Sequence, residues 1–200
     1  MKTFELNGTA RTIAERSSEQ ARALKAIRKD NGVPCVLYGG GKNINFTVKA
    51  DDLRKLVYTP HIYVVNLTID GELHTAIMKE LQFHPVKDNI LHIDFLEINE
   101  QKPIVMEVPV KLQGLAEGVK AGGKMKYAAR KAKVKGLYTN LPETVKVDVS
   151  DLDVEQSIKV SDIKVENCHI VDPQDALVCR VIATRASKSD ASKDDDKKKK

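Results

Sequence analysis

The stretch Leu91-His92-Ile93-Asp94-Phe95 indicates the fold class, because its side chains alternate between apolar and polar. In an extended strand, successive side chains point to opposite faces. We therefore expect Leu91, Ile93 and Phe95 to face a core while His92 and Asp94 stand together on the opposite face. An adjacent imidazole and carboxylate in that position could serve catalysis, a metal site or the recognition of a ligand.

The same alternation recurs elsewhere in the chain and predicts a mainly β protein. Val- and Ile-rich runs of this kind include residues 62–69 and 104–108. Hydrophobic residues make up 42% of the 200 residues, and only 4% are aromatic, so we expect a folded, aliphatic core. A chain of this length is long enough for two domains of about 90 residues each.

Neither a membrane segment nor a disulfide framework is indicated. No segment approaches the roughly 18 uncharged residues that a spanning helix needs, and the N-terminus has no apolar signal core. We therefore expect a cytoplasmic protein without a membrane partner. Cys35, Cys168 and Cys179 are odd in number, far apart and embedded in apolar runs, which predicts buried thiols rather than disulfides or a zinc site.

Charge is distributed unevenly within a chain whose net charge is +5. Residues 99–140 hold nine Lys and Arg against three Asp and Glu, whereas residues 138–185 hold five against nine. This is not the pattern of a uniformly basic nucleic-acid coat. Any RNA contact must come from local basic patches.

The first basic patch lies in a predicted helix. Ser17-Ser18-Glu19-Gln20 offers a capping box at its start, and Gly32 offers a stop after its end. Ala21, Leu24 and Ile27 recur at helical spacing and form a narrow apolar stripe. The cations on the other faces, with two just upstream, form either a solvated surface or a grip on phosphates; they are Arg11, Arg16, Arg22, Lys25, Arg28 and Lys29.

The second basic patch contains no acidic residue. Alternation through residues 130–134 would place several cations on one face of a strand. Such a face is either a solvated edge or a contact with an anionic partner, and the sequence favours neither. The patch consists of Lys120, Lys124, Lys126, Arg130, Lys131, Lys133 and Lys135.

The run Tyr38-Gly39-Gly40-Gly41-Lys42 lacks the spacing of a phosphate-binding loop and predicts a turn after a strand. Tyr38 ends that strand beside glycine backbone. There its ring either stacks on a base or sugar or simply covers the rim of the fold.

Catalysis lacks the partners that His92 and Asp94 would need. The chain has no GxSxG or HExxH motif, and its five histidines show no metal-ligand spacing, so we expect no enzyme, no metal and no cofactor. His84-Pro85 and the turn at 87–89 predict a hairpin over residues 81–95. The polar groups of this hairpin, Gln82, His92 and Asp94, can bind base edges, sugar hydroxyls and phosphates.

Three motifs, in this order and spacing, resemble those of a known family. Residues 34–40 read Pro-Cys-Val-Leu-Tyr-Gly-Gly, residues 82–86 read Gln-Phe-His-Pro-Val, and residues 92–95 read His-Ile-Asp-Phe. They resemble the bacterial large-subunit ribosomal protein twenty-five family, which binds 5S ribosomal RNA. The run at 104–112 and the glycines at 114, 118, 122 and 123 resemble the added domain of the family's long form, often called general stress protein Ctc.

The resemblance implies a six-stranded β-barrel with one or two helices over residues 1–98, which binds 5S ribosomal RNA, and a second all-β domain over 99–185. The charged tail, 186–200, has no apolar residue larger than alanine and is predicted to be disordered. The implied partners are 5S ribosomal RNA, the large ribosomal subunit and neighbouring ribosomal proteins, with no small-molecule substrate. Two alternatives stay open: a stress-linked protein-interaction module that acts through its second domain, and a hydrolase based on His and Asp.

The resemblance also implies RNA-binding residues. The chain departs from the family pattern at residues 13–17, which replace a glycine- and lysine-containing loop, and at Phe83, where some members carry arginine. The implied contacts on barrel strands are Arg11, Tyr38, Gln82, His92 and Asp94, and those near the first helix come from Arg16, Arg22, Lys25 and Arg28.

Overall fold

The computed structural model describes residues 2–13, 16–99 and 101–184 of the chain. The predicted disordered tail lies outside these residues. The described residues divide into two compact units. The barrel unit contains those up to Ile104 together with Leu137–Thr139, and the second unit contains Val105–Gly136 and those from Asn140 onward.

Six strands of the barrel unit form one closed sheet, as predicted. They are β1 (Lys2–Ala10), β2 (Gly32–Tyr38), β3 (Ile44–Lys49), β4 (Tyr63–Ile69), β5 (Glu72–Phe83) and β6 (Ile90–Glu97). Their order around the barrel is β1-β3-β2-β6-β5-β4, and β4 pairs in parallel with β1 to close it. β2 and β6 are also parallel, and the remaining pairs are antiparallel.

The interior of the barrel is largely aliphatic and is filled by alternate residues of each strand. Leu37, Leu67 and Ile93 have at most 1% of their surface exposed. Two aromatic rings lie among them: Phe46 and Phe95 are fully buried, with centroids 5.7 Å apart. Burying one such side chain contributes about 1.5–3 kcal/mol, so the alternating apolar residues hold each strand in its register.

The first helix, α1, spans Ser17–Lys29, and its ends differ from the predicted ones. Arg16 is the N-cap residue and no side chain caps the helix, so the predicted capping box does not form. Asn31 has a left-handed φ of 60°, which turns the chain away from the helical conformation after α1. Gly32 already begins β2. Asn tolerates this conformation better than most residues. The prediction that Gly32 stops the helix is therefore wrong.

Gly32 instead permits close packing between α1 and β2. A Cβ atom at Gly32 would lie 2.9 Å from Cγ2 of Ile27. Leu24 and Ile27 are only partly buried, and no residue of α1 is fully buried, so the helix contacts the barrel by a narrow stripe. Ala21, predicted to belong to that stripe, is exposed.

A second helix, α2, spans Ala50–Val57 and directly follows β3. Asp51 and Asp52 lie in its first turn, where negative charge is favourable. Leu53 and Leu56 are buried. Ala50, Leu53, Leu56 and Val57 recur at helical spacing, but eight residues are fewer than the roughly 11–18 over which a helical period is recognised.

The second unit is built around two sheets, which confirms a second all-β part. Its strands are β7 (Ile104–Gln113), β8 (Lys124–Tyr127), β9 (Lys131–Gly136), β10 (Val145–Asp148), β11 (Ser157–Lys159), β12 (His169–Ile170) and β13 (Leu177–Ile182). One sheet has the order β10-β7-β9-β12 and the other the order β11-β13-β8. A short helix, α3, spans Glu117–Lys120, and a 3₁₀ turn spans Val160–Asp162.

All three cysteines are free and buried, as predicted. Burial is the largest cause that raises the pKa of each thiol, and it raises that of Cys35 to about 12. The charge of Asp94 acts in the same direction on Cys35, whereas the charge of Arg11 lowers that pKa.

Cys35 is expected to resist alkylation in the folded protein. A rise from 9.0 to about 12 lowers the thiolate fraction at neutral pH by about a thousandfold, and the thiolate is the reactive form. Mass spectrometry after iodoacetamide treatment should show Cys35 unmodified under native conditions and modified in denaturant. Native modification at the rate of a free thiol would contradict the buried placement.

Within the described part of the chain, no helix is both long enough and apolar enough to cross a bilayer.

Candidate nucleic-acid interface

His92 and Asp94 form a bonded pair on the outer face of β6. The Nδ1 atom of His92 lies 2.7 Å from Oδ1 of Asp94, and about a quarter of each side chain is exposed, 25% and 27%. The carboxylate thereby fixes the orientation of the imidazole. Nε2 is then the ring nitrogen left for a ligand.

A β-bulge precedes this pair. Gln82 of β5 lies opposite His92, but the next residue, Phe83, lies opposite Ile90, so Leu91 is an extra residue. Ile90 occupies the core and Leu91 is only partly buried. The prediction that Leu91 faces the core is therefore wrong.

The bulge binds α1 to β6. The guanidinium of Arg28 donates to the carbonyl oxygen of Leu91 from Nε at 3.2 Å and from Nη2 at 3.1 Å. A bulged residue is left outside the regular ladder, so this acceptor needs a donor from elsewhere. Arg28 supplies it and brings the cationic helix next to His92.

A row of outward-facing residues crosses four strands at the level of Asp94. Val36 lies opposite Asn45 on one side and Asp94 on the other, and Asp94 lies opposite Glu80. Beyond Asn45 stands Arg11, whose backbone N donates to the Asn45 carbonyl at 2.8 Å and whose Nη2 donates to its Oδ1 at 3.4 Å. The buried Nε of Arg11 has no acceptor among the described residues. Arg11 therefore keeps an unused donor beside the row.

Tyr38 ends β2 near the same row, opposite Leu96. Burial, followed by the charges of Asp94 and Glu80, raises the pKa of its phenol. A tyrosine hydroxyl is protonated at neutral pH with or without this rise, so it is available as a hydrogen-bond donor. Gln82 is exposed on β5 beside His92. The structure thus places four of the residues predicted to bind RNA on the outer face of the barrel strands: Tyr38, Gln82, His92 and Asp94. Arg11, predicted in the first strand, lies directly after it, because β1 ends at Ala10.

The cations predicted on and before α1 are placed differently from one another. Arg16 is exposed, and its Nη1 lies 3.9 Å from Oε1 of Glu19. This surface ion pair contributes little to stability. Arg22 is also exposed. Lys25 and Arg28 line one wall of an open cleft of about 690 Å³, between α1, α2 and the β5–β6 turn.

The same cleft contains cations that the sequence did not single out. These are Arg54 of α2 and Lys87 of the β5–β6 turn. Lys29, which belongs to the first basic patch of the sequence, also lines the cleft. Lys87 could have been noticed because it lies within the predicted hairpin, whereas Arg54 lies on a helix that the pattern did not reveal. Asn45, which positions Arg11, gave no signal beyond a polar residue within a strand.

Asp94 holds Nδ1 of His92 as the carboxylate of a catalytic triad does, but such a pair needs a nucleophile beside Nε2. The nearby thiol of Cys35 is buried, and burial raises its pKa to about 12, so it does not supply one. Across residues 2–13, 16–99 and 101–184, no three His, Cys, Asp or Glu side chains are placed to hold a metal ion.

Comparison with known proteins accounts for nearly the whole chain. Residues 7–95 match the model of the Ribosomal L25p family, and residues 103–185 match that of the ribosomal protein TL5 C-terminal domain. Large ribosomal subunit protein bL25 of Bacteroides thetaiotaomicron is 60% identical over 192 residues, which cover 96% of this chain and 98% of that protein. The proteins of the same name from Bacteroides fragilis and Porphyromonas gingivalis are 58% and 50% identical, each over 96% of this chain and over 98% and 99% of their own lengths.

Identity at this level over both units confirms the predicted function class. The relatives are large-subunit ribosomal proteins, so this chain is a structural ribosomal protein and not an enzyme, and the hydrolase alternative is wrong. The resemblance drawn from the three sequence motifs is also confirmed. The chain therefore belongs to the L25p family of large-subunit ribosomal proteins and carries the TL5-type C-terminal domain.

Proposed function

We propose that the barrel unit binds 5S ribosomal RNA through the outer face of β2, β5 and β6 and the adjoining α1. The observation that carries this proposal is the 2.7 Å pair of His92 and Asp94. It is a preoriented donor and acceptor set beside a helix rich in cations. A rigid polar pair of this kind suits one RNA shape, because RNA is recognised largely by shape and by its 2′-hydroxyls.

The cations and the strand residues have different tasks in this proposal. Arg11, Arg16, Arg22, Lys25 and Arg28 hold phosphates, which sets affinity and register without reading sequence. Arg28 uses two of its five N–H groups on the Leu91 carbonyl and retains the others for RNA. Its position next to the bulge couples the phosphate-binding helix to the strand face.

The strand residues supply the fit to RNA. Tyr38 donates its hydroxyl or stacks its ring, and Gln82 and Nε2 of His92 meet base edges or sugar hydroxyls. Asp94 accepts a hydrogen bond from a 2′-hydroxyl or an amino group. A buried carboxylate without such donors would be costly, and His92 already provides one of them.

A double-mutant cycle on 5S ribosomal RNA binding tests this assignment. We expect His92→Ala and Asp94→Ala each to weaken binding by about 1–3 kcal/mol. The double variant should lose less than the sum of the two, because bonded residues act as a unit. Gel-shift titration of the full chain measures the affinities.

His61→Ala is the control, since His61 is an exposed histidine on the loop before β4. It should bind 5S ribosomal RNA as the unaltered chain does. Circular dichroism should show all variants folded. Full affinity in both His92→Ala and Asp94→Ala would refute the proposed site.

A further inference from the structure

We propose that the second unit has an RNA-binding surface of its own, which holds the phosphate backbone of RNA by lysines on one face of its four-stranded sheet. We call this surface the lysine face. It consists of Lys111 on β7, Lys131, Lys133 and Lys135 on β9, and Lys146 on β10.

The pleat of β9 places three of these lysines on one side. Lys131, Lys133 and Lys135 are exposed and alternate with Ala132 and Val134, which are buried. A strand rises about 3.3 Å per residue, so successive ammonium stems stand about 6.6 Å apart along it. The alternation seen in the sequence therefore forms a single row of cationic side chains on the outer face of β9, above an apolar layer.

Lysines on the neighbouring strands extend this row into a surface. Lys146 of β10 lies directly opposite Lys111 of β7, and both are exposed. On the other side of β9, the exposed His169 of β12 lies opposite Lys135. β7 and β10 are parallel, and two ammonium groups side by side on neighbouring strands repel each other. The Lys111 and Lys146 pair is therefore a cost to the fold that an anionic ligand would relieve.

The acidic residues near the lysine face are already engaged. Glu107 accepts from Nζ of Lys131 at 3.3 Å, and Asp172 accepts from the backbone N of Lys133 at 2.8 Å. Asp148 accepts from Oγ of Ser150 at 2.7 Å and from its backbone N at 3.0 Å, bonds that lower the pKa of this carboxyl.

These three carboxylates keep their negative charge when they accept hydrogen bonds, but none of them is paired with the other four ammonium groups of the lysine face. Among the residues that the structure describes, no carboxylate forms an ion pair with Lys111, Lys133, Lys135 or Lys146. Because lysine side chains are long and flexible, their ammonium groups can adjust to the irregular path of an RNA phosphate backbone. The field of such a cluster raises the local concentration of polyanions.

The composition of the face favours RNA over a protein partner. Protein interfaces are dominated by buried aromatic and apolar anchors, and the exposed large hydrophobic residues of this unit, Leu115, Tyr127 and Val171, all lie outside β7, β9 and β10. Lysine ammonium groups bind phosphates as point charges. Without aromatic rings or amide side chains at its centre, the face can hold a backbone but cannot read bases.

The lysine face shares no residue with the barrel site, so this inference does not rest on 5S ribosomal RNA binding. It predicts an additional, sequence-tolerant and salt-dependent contact between the protein and RNA. It also gives a task to Lys131, Lys133 and Lys135 of the second basic patch, for which the sequence left a solvated edge and an anionic partner open.

The test compares two full-chain variants with the same loss of charge. The first changes Lys111, Lys133, Lys135 and Lys146 to Gln. The second, a matched control in the same unit, changes four exposed lysines away from the face to Gln: Lys120, Lys124, Lys126 and Lys164. Each is titrated against a mixed-sequence RNA duplex over a range of salt concentrations.

We expect the lysine-face variant to reduce the slope of log affinity against log salt by about 3.6, that is, about 0.9 for each of the four phosphates that the protein no longer neutralises. The control variant should reduce it by less than about 1. The same difference should appear in a His92→Ala/Asp94→Ala background, which separates this surface from the barrel site.

Equal slopes for the lysine-face variant and the control would overturn the proposal, because net charge alone would then explain binding. So would a lysine-face variant that binds the duplex normally but loses binding to poly-glutamate, since that result assigns the face to an acidic protein. Circular dichroism of each variant verifies that the second unit remains folded.

Discussion

Phe95→Ala is expected to lower the free energy of unfolding of the barrel unit by about 3–5 kcal/mol. Phe95 has no exposed surface, and its ring centroid lies 5.7 Å from that of Phe46. It stands at the middle of the closed sheet, opposite Leu37 on β2 and Met78 on β5. Removing the ring leaves a cavity that a barrel, tied by hydrogen bonds on both sides of each strand, cannot close.

Denaturant unfolding followed by far-ultraviolet circular dichroism measures the loss, with hydrogen exchange of β6 amides to assign it to the barrel. Phe83→Ala is the matched control, because Phe83 ends β5 and is 41% exposed. It should change the free energy of unfolding by less than about 1 kcal/mol. Similar losses for both variants would contradict the inward placement of Phe95.

Phe95 and Asp94 are neighbours in the chain, yet their substitutions should affect different quantities. Phe95→Ala lowers stability and weakens RNA binding only to the extent that the barrel unfolds. Asp94→Ala removes an outward-facing group and weakens binding in a folded protein. This separation follows directly from the period of a strand.

The alternation of residues was sufficient to predict the mainly β class and the pairing of His92 with Asp94. Both depend on one local property, the two-residue period of an extended chain. The hairpin of β5 and β6 was also predictable, because Pro85 and the turn after it mark where the strands end. The six-strand count came from the resemblance to a family, since nothing local shows that β1 pairs with β4, some 60 residues away.

The errors lie where a local pattern competes with a contact distant in sequence. The bulge moves Leu91 out of the core, and its carbonyl is then satisfied by Arg28, 63 residues earlier. Gly32 looked like a helix stop, but its small size serves the approach of Ile27 to β2, and Asn31 makes the left-handed turn. Such features depend on which elements become neighbours, and a single local segment does not reveal that.

The same limit applied to the candidate site. Arg11 was singled out as a cation upstream of the predicted helix and Tyr38 as an aromatic ring at a strand end, and the family motifs assigned both to RNA. The structure adds what surrounds them. Asn45 holds Arg11, and Glu80 stands opposite Asp94 on the adjacent strand. Glu80 contributes to the raised pKa of the Tyr38 phenol. These supporting residues are ordinary polar positions in strands, and only the register of the barrel gives them a role.

Gly118→Val is expected to destabilise the second unit by about 3 kcal/mol, at the upper end of the range for overpacked sites. A Cβ atom at Gly118 would lie 2.5 Å from the carbonyl carbon of Asp153 and 2.5 Å from the backbone N of Val154. These are backbone atoms and cannot rotate away. Gly118 also donates its N–H to the Leu152 carbonyl at 2.9 Å and accepts from the backbone N of Gly123 at 2.8 Å.

One of these hydrogen bonds holds the N–H of Gly118 and the other holds its carbonyl oxygen. A backbone shift that relieves the clash therefore breaks at least one of them. Ala121→Val adds two methyl groups to an existing Cβ at an exposed position of the same turn and should be nearly neutral. Hydrogen exchange should show faster opening of β8 and β13 in Gly118→Val while β2 and β6 keep their protection. We propose that the two units are independent domains. Gly118→Val should then retain its affinity for 5S ribosomal RNA. Loss of amide protection in β2 and β6 alongside that in β8 and β13 would refute this independence.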